Sequence, residues 1–127
     1  MSRKQVVSTA APAALGPYSQ AIEIDGFVFC SGQLGIDPAT GKLVEGIEAQ
    51  TEQALVNLEG VLGSVGLGFG DVAKVTVFIT DMANFPKMNA VYATHVVAPA
   101  PARSTVQISA IALNAMVEIE AIARRSS

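Results

Sequence analysis

The chain has 127 residues, of which 50% are apolar and 15% are charged, and its formal net charge is −3. Domains cluster near roughly 100 to 150 residues, so we expect residues 1–127 to form a single domain around one apolar core. The isoelectric point near 5.0 argues against a nucleic-acid partner, because such a partner needs a basic face that neutralises phosphates.

Cysteine and histidine usage argues against disulfides and metal sites. Cys30 is the single cysteine and His95 the single histidine, so an internal disulfide is impossible and these two residues cannot supply a metal-ligand cluster. No stretch approaches the roughly 20 apolar residues of a membrane span, and the N-terminus lacks the apolar run of a signal peptide. We therefore expect a cytoplasmic protein with no cofactor and no membrane partner. The large apolar share favours burial of surface between subunits, as in a homo-oligomer.

The first regular element is a hairpin predicted at residues 20–31. Two apolar runs flank Asp25 and Gly26, the dipeptide that a type I′ turn requires because both central residues take positive φ. Since side chains alternate along a strand, Ser31 lies on the face opposite to Cys30.

A helix is predicted at residues 47–65, where apolar residues recur at helical spacing between glutamates. The sequence that follows, Gly66-Leu67-Gly68-Phe69-Gly70, superficially resembles a phosphate-binding loop. Such loops follow a strand and open a helix, whereas this one closes a helix and precedes a strand predicted at residues 72–80. The pattern therefore favours a helix C-cap and turn.

A second helix is predicted to be capped by Asn84, with Pro86 in its first turn. Asn89 falls inside its apolar stripe, either as a satisfied buried amide, which is the favoured interpretation, or as a group that points into a pocket. Strands are predicted at residues 102–108 and 116–123. One mixed sheet with two helices packed on one face, an α+β architecture, accounts for this order of elements.

The last two strands carry polar groups that could form a site. Glu118 and Glu120 lie two residues apart on one strand face, which suits a polar pocket or an ion-paired edge. Arg103, which shares a face with Thr105, can clamp a carboxylate through two parallel hydrogen bonds or form an ion pair with one of those glutamates. The residue pattern favours neither of these two interpretations of Arg103 over the other. The lone cysteine and histidine are disfavoured as nucleophile and base because both fall on apolar faces.

Five segments of the chain carry a joint resemblance to a known family. They are Gly16-Pro17-Tyr18-Ser19-Gln20-Ala21, Ser31-Gly32-Gln33, the stretch from Asn89 to Tyr92, Pro101-Ala102-Arg103-Ser104 and Val117-Glu118-Ile119-Glu120-Ala121. Their order and spacing, over nearly the whole chain, resemble the Rid family, also called the YjgF family, of reactive-intermediate deaminases. The resemblance implies a chorismate-mutase-like fold and a homotrimer whose sheets form a central barrel, with clefts between neighbouring subunits.

The resemblance also implies an activity. Family members with the arginine hydrolyse 2-imino acids, which form from 2-enamino acids such as 2-aminoacrylate and 2-aminocrotonate, to 2-oxo acids and ammonia. The expected function is that of a 2-iminobutanoate/2-iminopropanoate deaminase, a hydrolase acting on C–N bonds. An imine is already electrophilic, so catalysis needs a clamped carboxylate, a placed water and a proton donor more than a strong nucleophile.

Position-by-position matching implies which residues do this work. The carboxylate-binding arginine falls on Arg103, the pocket tyrosine on Tyr18 and the water-holding glutamate on Glu118. The pocket serine falls on Ser31, and we expect these four residues to be catalytic.

Three further residues are expected to bind the substrate together with the arginine. They are the backbone amide of Gly32, the helix asparagine Asn89, and Thr105, which stands where many members have a cysteine. Relative to the family that the chain resembles, the segment between Tyr92 and Arg103 looks about three residues shorter, and we expect this segment to border the cleft.

Two other functions remain open at this stage. The same clefts could bind a 2-oxo acid or another carboxylate in a regulatory trimer without turnover, which needs the arginine clamp but not a water-holding acid. A translation-inhibiting ribonuclease activity, attributed to some relatives, ranks last because the chain is acidic.

Overall fold

Eight β-strands and two α-helices form the part of the chain described by the structure, a computed structural model that covers residues 2–126. The strands are β1 Lys4–Val6, β2 Ala21–Ile24, β3 Phe27–Leu34, β4 Ile36–Asp37, β5 Lys42–Leu43, β6 Val72–Ile79, β7 Ala102–Gln107 and β8 Val117–Arg124. The helices are α1 Ile47–Gly63 and α2 Phe85–Ala93. Neither helix is long and apolar enough to cross a bilayer.

Six strands form one mixed sheet in the order β1-β2-β3-β8-β6-β7. Only β6 and β7 run parallel, because α2 carries the chain back between them. Helix α1 packs on β3 and β8, and α2 packs against α1. The predicted α+β architecture with two helices on one face is confirmed. Strand β1 and the separate β4-β5 ribbon were not predicted, because strands of two or three residues are too short to show a period.

Alternation along the strands decides which side chains reach the core. Val75, Val77 and Ile119 are fully buried under the helices. Arg103 pairs with Val75 across β6 and β7, so its side chain lies on the helix-covered face. Glu118 follows buried Val117 along β8 and pairs with Phe78, so its side chain lies on the opposite face.

Two turns predicted at glycines, the Asp25-Gly26 hairpin turn and the turn that follows α1, are confirmed. Asp25 and Gly26 have φ values of 54° and 80°, as the hairpin requires. After α1, the Leu67 N–H donates to the Leu62 carbonyl at 2.9 Å, and Gly66, at φ 77°, occupies the left-handed position. This pairing is that of a Schellman motif, so the glycine-rich segment is a helix C-cap.

The predicted N-cap position of α2, Asn84, is confirmed, but its side chain does not cap the helix. Asn84 makes no side-chain capping bond, because a short 3₁₀ turn at Met82–Asn84 extends the helix backwards. Asp81 caps that turn instead, and its carboxylate accepts from the Ala83 N–H at 2.9 Å. Pro86 lies in the first turn of α2, as predicted.

Candidate active site

A cleft of about 660 Å³ lies on the sheet face away from the helices. Four of the predicted residues line it: Tyr18 from the segment before β2, Ser31 and Gly32 from β3, and Glu118 from β8. Residues 31 and 118 come together because β3 and β8 are adjacent strands.

Glu118 lies directly on the backbone of Gly32. A Cβ atom at residue 32 would stand 2.8 Å from Cδ and 2.9 Å from Cγ of Glu118, and closer still to Oε2. Burial, followed by the charge of Glu120, raises the pKa of Glu118. Within residues 2–126 of one chain no cation lies at ion-pair distance from either glutamate, and Glu118 lines the polar cleft.

Ser31 fastens β3 to the segment that carries Tyr18. Its hydroxyl donates to the Ser19 carbonyl oxygen at 2.6 Å, and its N–H donates to the Gln20 carbonyl at 2.9 Å. Because a hydroxyl has one proton, Ser31 in this geometry can only accept a hydrogen bond from a ligand. Tyr18 stands at the mouth of the cleft, with 54% of its surface exposed.

Arg103 lines a second cavity, of about 590 Å³, between α2 and the segment that precedes β7. Its Nη1 donates to Oδ1 of Asn89 at 2.9 Å, so the amide oxygen is satisfied as predicted while the residue also lines the cavity. In the described part of one chain no carboxylate lies at ion-pair distance from Arg103, and the alternative ion pair with Glu118 or Glu120 is not formed there. The guanidinium therefore keeps donors for a carboxylate ligand.

Thr105 lies two residues beyond Arg103 on the same strand face. Its hydroxyl is buried and has no hydrogen-bond partner within residues 2–126. It does not line the Arg103 cavity. A direct contact between Thr105 and a substrate therefore stays a prediction.

The two cavities share no lining residue. Arg103 and Glu118 also lie on opposite faces of the sheet. A single chain thus contains two separate groups of predicted site residues. One group includes Arg103, which is expected to bind the substrate carboxylate, and the other includes Glu118.

Sequence reasoning missed two buried amides of α1 that hydrogen-bond to the backbone: Asn57 bonds residues that line the first cleft, and Gln50 bonds the chain just before β8. Asn57 Nδ2 donates to the carbonyl oxygens of Leu34 at 3.1 Å and Ile36 at 2.8 Å. Gln50 Oε1 accepts from the Met116 N–H at 2.8 Å. A polar residue on the buried face of an amphipathic helix is the signal that could have found them.

Cys30 and His95 lie outside both cavities, which agrees with their rejection as catalytic groups. Burial raises the pKa of the Cys30 thiol to about 12, so the thiol stays protonated. The His95 ring bridges two glutamates of α1, with Nδ1 3.2 Å from Glu59 and Nε2 2.8 Å from Glu52.

The His95 bridge predicts a pH-dependent stability. Burial alone lowers the pKa of His95, but the hydrogen bonds to Glu52 and Glu59 outweigh burial and raise it. A raised folded pKa contributes stability that is fully present below the unfolded value, about 6.5, and is lost as the pH rises through the folded value. Between about pH 6 and pH 9, we expect the Tm of the wild type to fall relative to that of His95→Gln in calorimetry. Parallel Tm curves for the two proteins would contradict the prediction.

The contact between Gly32 and Glu118 predicts a selective effect of Gly32→Ala. The added methyl group meets the mobile end of the Glu118 side chain, which can rotate towards solvent, so we expect the Tm to be preserved. The displaced carboxylate should lose its burial, and its pKa, followed by carboxyl-detected NMR titration, should fall towards the ordinary value. Gly63→Ala is the matched control, since a Cβ there meets open space. An unchanged pKa of Glu118 in Gly32→Ala would refute the contact.

Comparison with known sequences gives matches along most of the chain. The profile of the family described as Endoribonuclease L-PSP matches residues 8–125. Reactive Intermediate Deaminase A, chloroplastic, of Arabidopsis thaliana is 52% identical over 123 residues, which cover 95% of this chain and 66% of that protein. The 2-iminobutanoate/2-iminopropanoate deaminase of Mus musculus is 44% identical over 122 residues, which cover 95% of this chain and 90% of that protein.

Solved structures give the same result. The structure of E. coli TdcF with bound serine has a TM-score of 0.93 and 38% identity, over 97% of this chain and 99% of that one. RidA from the Antarctic bacterium Psychrobacter has a TM-score of 0.93 and 39% identity, over 96% of this chain and 99% of that one. With this fold, these cavities and relatives of this identity, the chain belongs to the Rid (YjgF) family, whose profile carries the description Endoribonuclease L-PSP.

Proposed function

We propose that this chain is a reactive-intermediate deaminase that hydrolyses small 2-imino acids to 2-oxo acids and ammonia. The relatives from Arabidopsis thaliana and Mus musculus are named as deaminases, the second for 2-iminobutanoate and 2-iminopropanoate. The observation that carries the proposal is the Glu118 carboxylate, which packs on the Gly32 backbone inside a cleft and has a raised pKa. Such a carboxylate is suited to accept a proton from a water molecule that attacks an imine carbon.

The proposed reaction uses the two groups of residues together. Arg103 holds the substrate carboxylate through parallel N–H donors. Glu118 takes a proton from water as the water oxygen bonds to the imine carbon, and the same proton passes to the nitrogen, giving a carbinolamine. The hydroxyl proton of the carbinolamine then passes to the amino group, and the C–N bond breaks to release ammonia and the 2-oxo acid. Enamines such as 2-aminocrotonate enter this reaction as their imine tautomers.

A coupled assay tests the proposed function. A pyridoxal-phosphate dehydratase generates 2-aminocrotonate from threonine, and the release of 2-oxobutanoate is followed with and without this protein. We expect the protein to accelerate release above the spontaneous rate. A rate that is independent of its concentration would overturn the proposal.

We also propose that the complete site forms between copies of the chain in a homotrimer. A substrate of a few heavy atoms cannot reach two separate cavities on opposite faces of one sheet, so clamp and carboxylate must come from different subunits. Around the first cleft, Leu15 is 88% exposed and Leu113 is 66% exposed, which suits contact with a neighbouring subunit.

Mixed oligomers test this assembly. Arg103→Ala and Glu118→Gln chains should each be inactive alone, yet oligomers formed from an equal mixture should recover about a quarter of the wild-type activity. A site is intact only when a Glu118→Gln chain supplies its Arg103 and an Arg103→Ala chain supplies its Glu118. In a random equal mixture each condition holds for about half of the sites, so about a quarter of the sites are intact. No recovery after verified mixing, or an active monomer at micromolar concentration in sedimentation, would contradict an intersubunit site.

Binding of a small carboxylate without turnover is a second candidate function. It is favoured by the E. coli relative TdcF, whose structure holds serine. A wild-type protein that binds 2-oxobutanoate but leaves 2-aminocrotonate hydrolysis at its spontaneous rate would establish it. Ribonuclease activity is not proposed, because a net charge of −3 disfavours an RNA partner.

A further inference from the structure

Three side chains on one face of α2 surround the guanidinium of Arg103. Phe85, Asn89 and Tyr92 recur at helical spacing and therefore point the same way. The Arg103 Cζ lies 4.6 Å from the ring centroid of Tyr92 and 5.6 Å from that of Phe85. The Asn89 amide oxygen takes one guanidinium N–H at 2.9 Å. The cation thus has aromatic rings beside it and an amide at its edge.

These contacts differ in what they restrain. An aromatic face attracts a guanidinium and fixes the plane in which it lies, while the Asn89 bond fixes its rotation within that plane. Only one of the five N–H donors is used by Asn89, so the remaining donors stay available. An arginine side chain that is already ordered before a ligand binds loses less conformational entropy on binding. Its affinity for the ligand is therefore higher, although it makes no additional contact with the ligand.

Tyr92 is itself held firmly. It is 5% exposed, and its ring meets that of Phe69 edge to face, at 6.4 Å between centroids and 82° between planes. Its hydroxyl is buried and has no hydrogen-bond partner within residues 2–126. The ring lies beside the guanidinium, with its centroid 4.6 Å from Arg103 Cζ, so the ring is the part of Tyr92 that contacts Arg103.

We propose that Tyr92, assisted by Phe85, is a positioning residue that fixes the plane and direction of Arg103 before a carboxylate arrives. This inference rests on the proposed function only for the identity of the carboxylate, a 2-imino acid. The inference assigns the positioning of Arg103 to the aromatic ring of Tyr92, and the hydroxyl group is not needed for it.

Kinetics of three variants test the proposal. Tyr92→Leu removes the ring, Tyr92→Phe keeps it, and Met88→Leu is the matched control, a volume-conserving change at a buried residue of the same helix. For Tyr92→Leu we expect kcat/KM to fall about 10- to 100-fold, mainly through KM, because a disordered clamp weakens carboxylate binding. Tyr92→Phe should stay within about twofold of wild type. A comparable loss in Met88→Leu or in Tyr92→Phe would overturn the proposal.

Two further measurements are independent of turnover. Rotation of the Arg103 guanidinium about Nε–Cζ, followed by nitrogen-15 NMR exchange, should be slow in wild type and Tyr92→Phe and faster in Tyr92→Leu. Affinity for 2-oxobutanoate should fall only in Tyr92→Leu. Equal rotation rates and equal affinities in wild type and Tyr92→Leu would overturn the positioning role. If the two proteins differ in both measurements but the wild type has no deaminase activity, only the proposed function is overturned. If Tyr92→Leu fails to fold, Phe85→Leu, at a half-buried residue, gives a smaller change of the same sign, and no change there would refute the role.

Discussion

Arg103→Lys is expected to lower kcat/KM for 2-aminocrotonate by about 10- to 1000-fold, taking each lost charge-assisted hydrogen bond as about 1.5 to 3 kcal/mol. Lysine keeps the charge but loses the planar fork that binds a carboxylate through two parallel bonds. The substrate offers few other contacts, so its carboxylate supplies most of its orientation. Arg103→Ala should be worse, because it also removes the charge.

Stability separates this role of Arg103 from a structural one. Within the described part of one chain, the Arg103 side chain bonds Asn89 and has no carboxylate partner. Arg103→Ala therefore does not leave a carboxylate there without its counter-charge. We expect its Tm and its assembly to be preserved while activity is lost, measured on the same sample. Arg124→Lys is the matched control, since Arg124 also lies over an aromatic ring, that of Phe27 at 4.9 Å, but outside both cavities. A stable Arg103→Ala protein with undiminished activity would overturn the assignment.

Glu118→Gln is expected to lower kcat by about 100- to 10,000-fold, the range of general acid–base catalysis. The amide preserves the shape of the side chain over Gly32 but cannot take a proton from water. Binding of 2-oxobutanoate should survive, because the Arg103 clamp is untouched. Titration calorimetry and the coupled assay on one preparation measure both quantities.

The exposed neighbour Glu120 provides the control for Glu118. Glu120→Gln removes the charge that helps to raise the pKa of Glu118, so that pKa should fall. The acid limb of the pH–rate profile should then move to lower pH, while the rate near neutral pH is retained. An equal loss of binding and turnover in Glu118→Gln would indicate a structural role, and wild-type turnover would remove Glu118 from the mechanism.

Local features of the fold were predictable because they depend on neighbours in sequence. The Asp25-Gly26 hairpin, the Schellman cap at Gly66 and the faces of β7 and β8 all follow from turn chemistry or from side-chain period. The phase of β7 placed Arg103 on one strand face, and the structure shows that this is the helix-covered face. The roles assigned to the site residues came from the family resemblance and not from these patterns.

Cap and edge positions were less predictable because small local differences decide them. Asn84 directly precedes α2, but the 3₁₀ turn Met82–Asn84 leads into the helix, so the side-chain cap is made by Asp81 at the start of that turn. The two-residue strands β4 and β5 carry no readable period, although their ribbon adjoins the cleft that contains Glu118.

The sequence by itself determined the alternating faces, the turns and the helical stripes, since each needs only residues a few positions apart. The tertiary structure decided which strands are neighbours, and therefore that Ser31 and Glu118 meet in one cleft while Arg103 joins Asn89 and Tyr92 in another. Strand order and aromatic contacts to a cation join residues far apart in the chain, and no local period encodes them. The contact of Arg103 in β7 with the Tyr92 ring in α2 is one such long-range contact, and only the tertiary structure determines it.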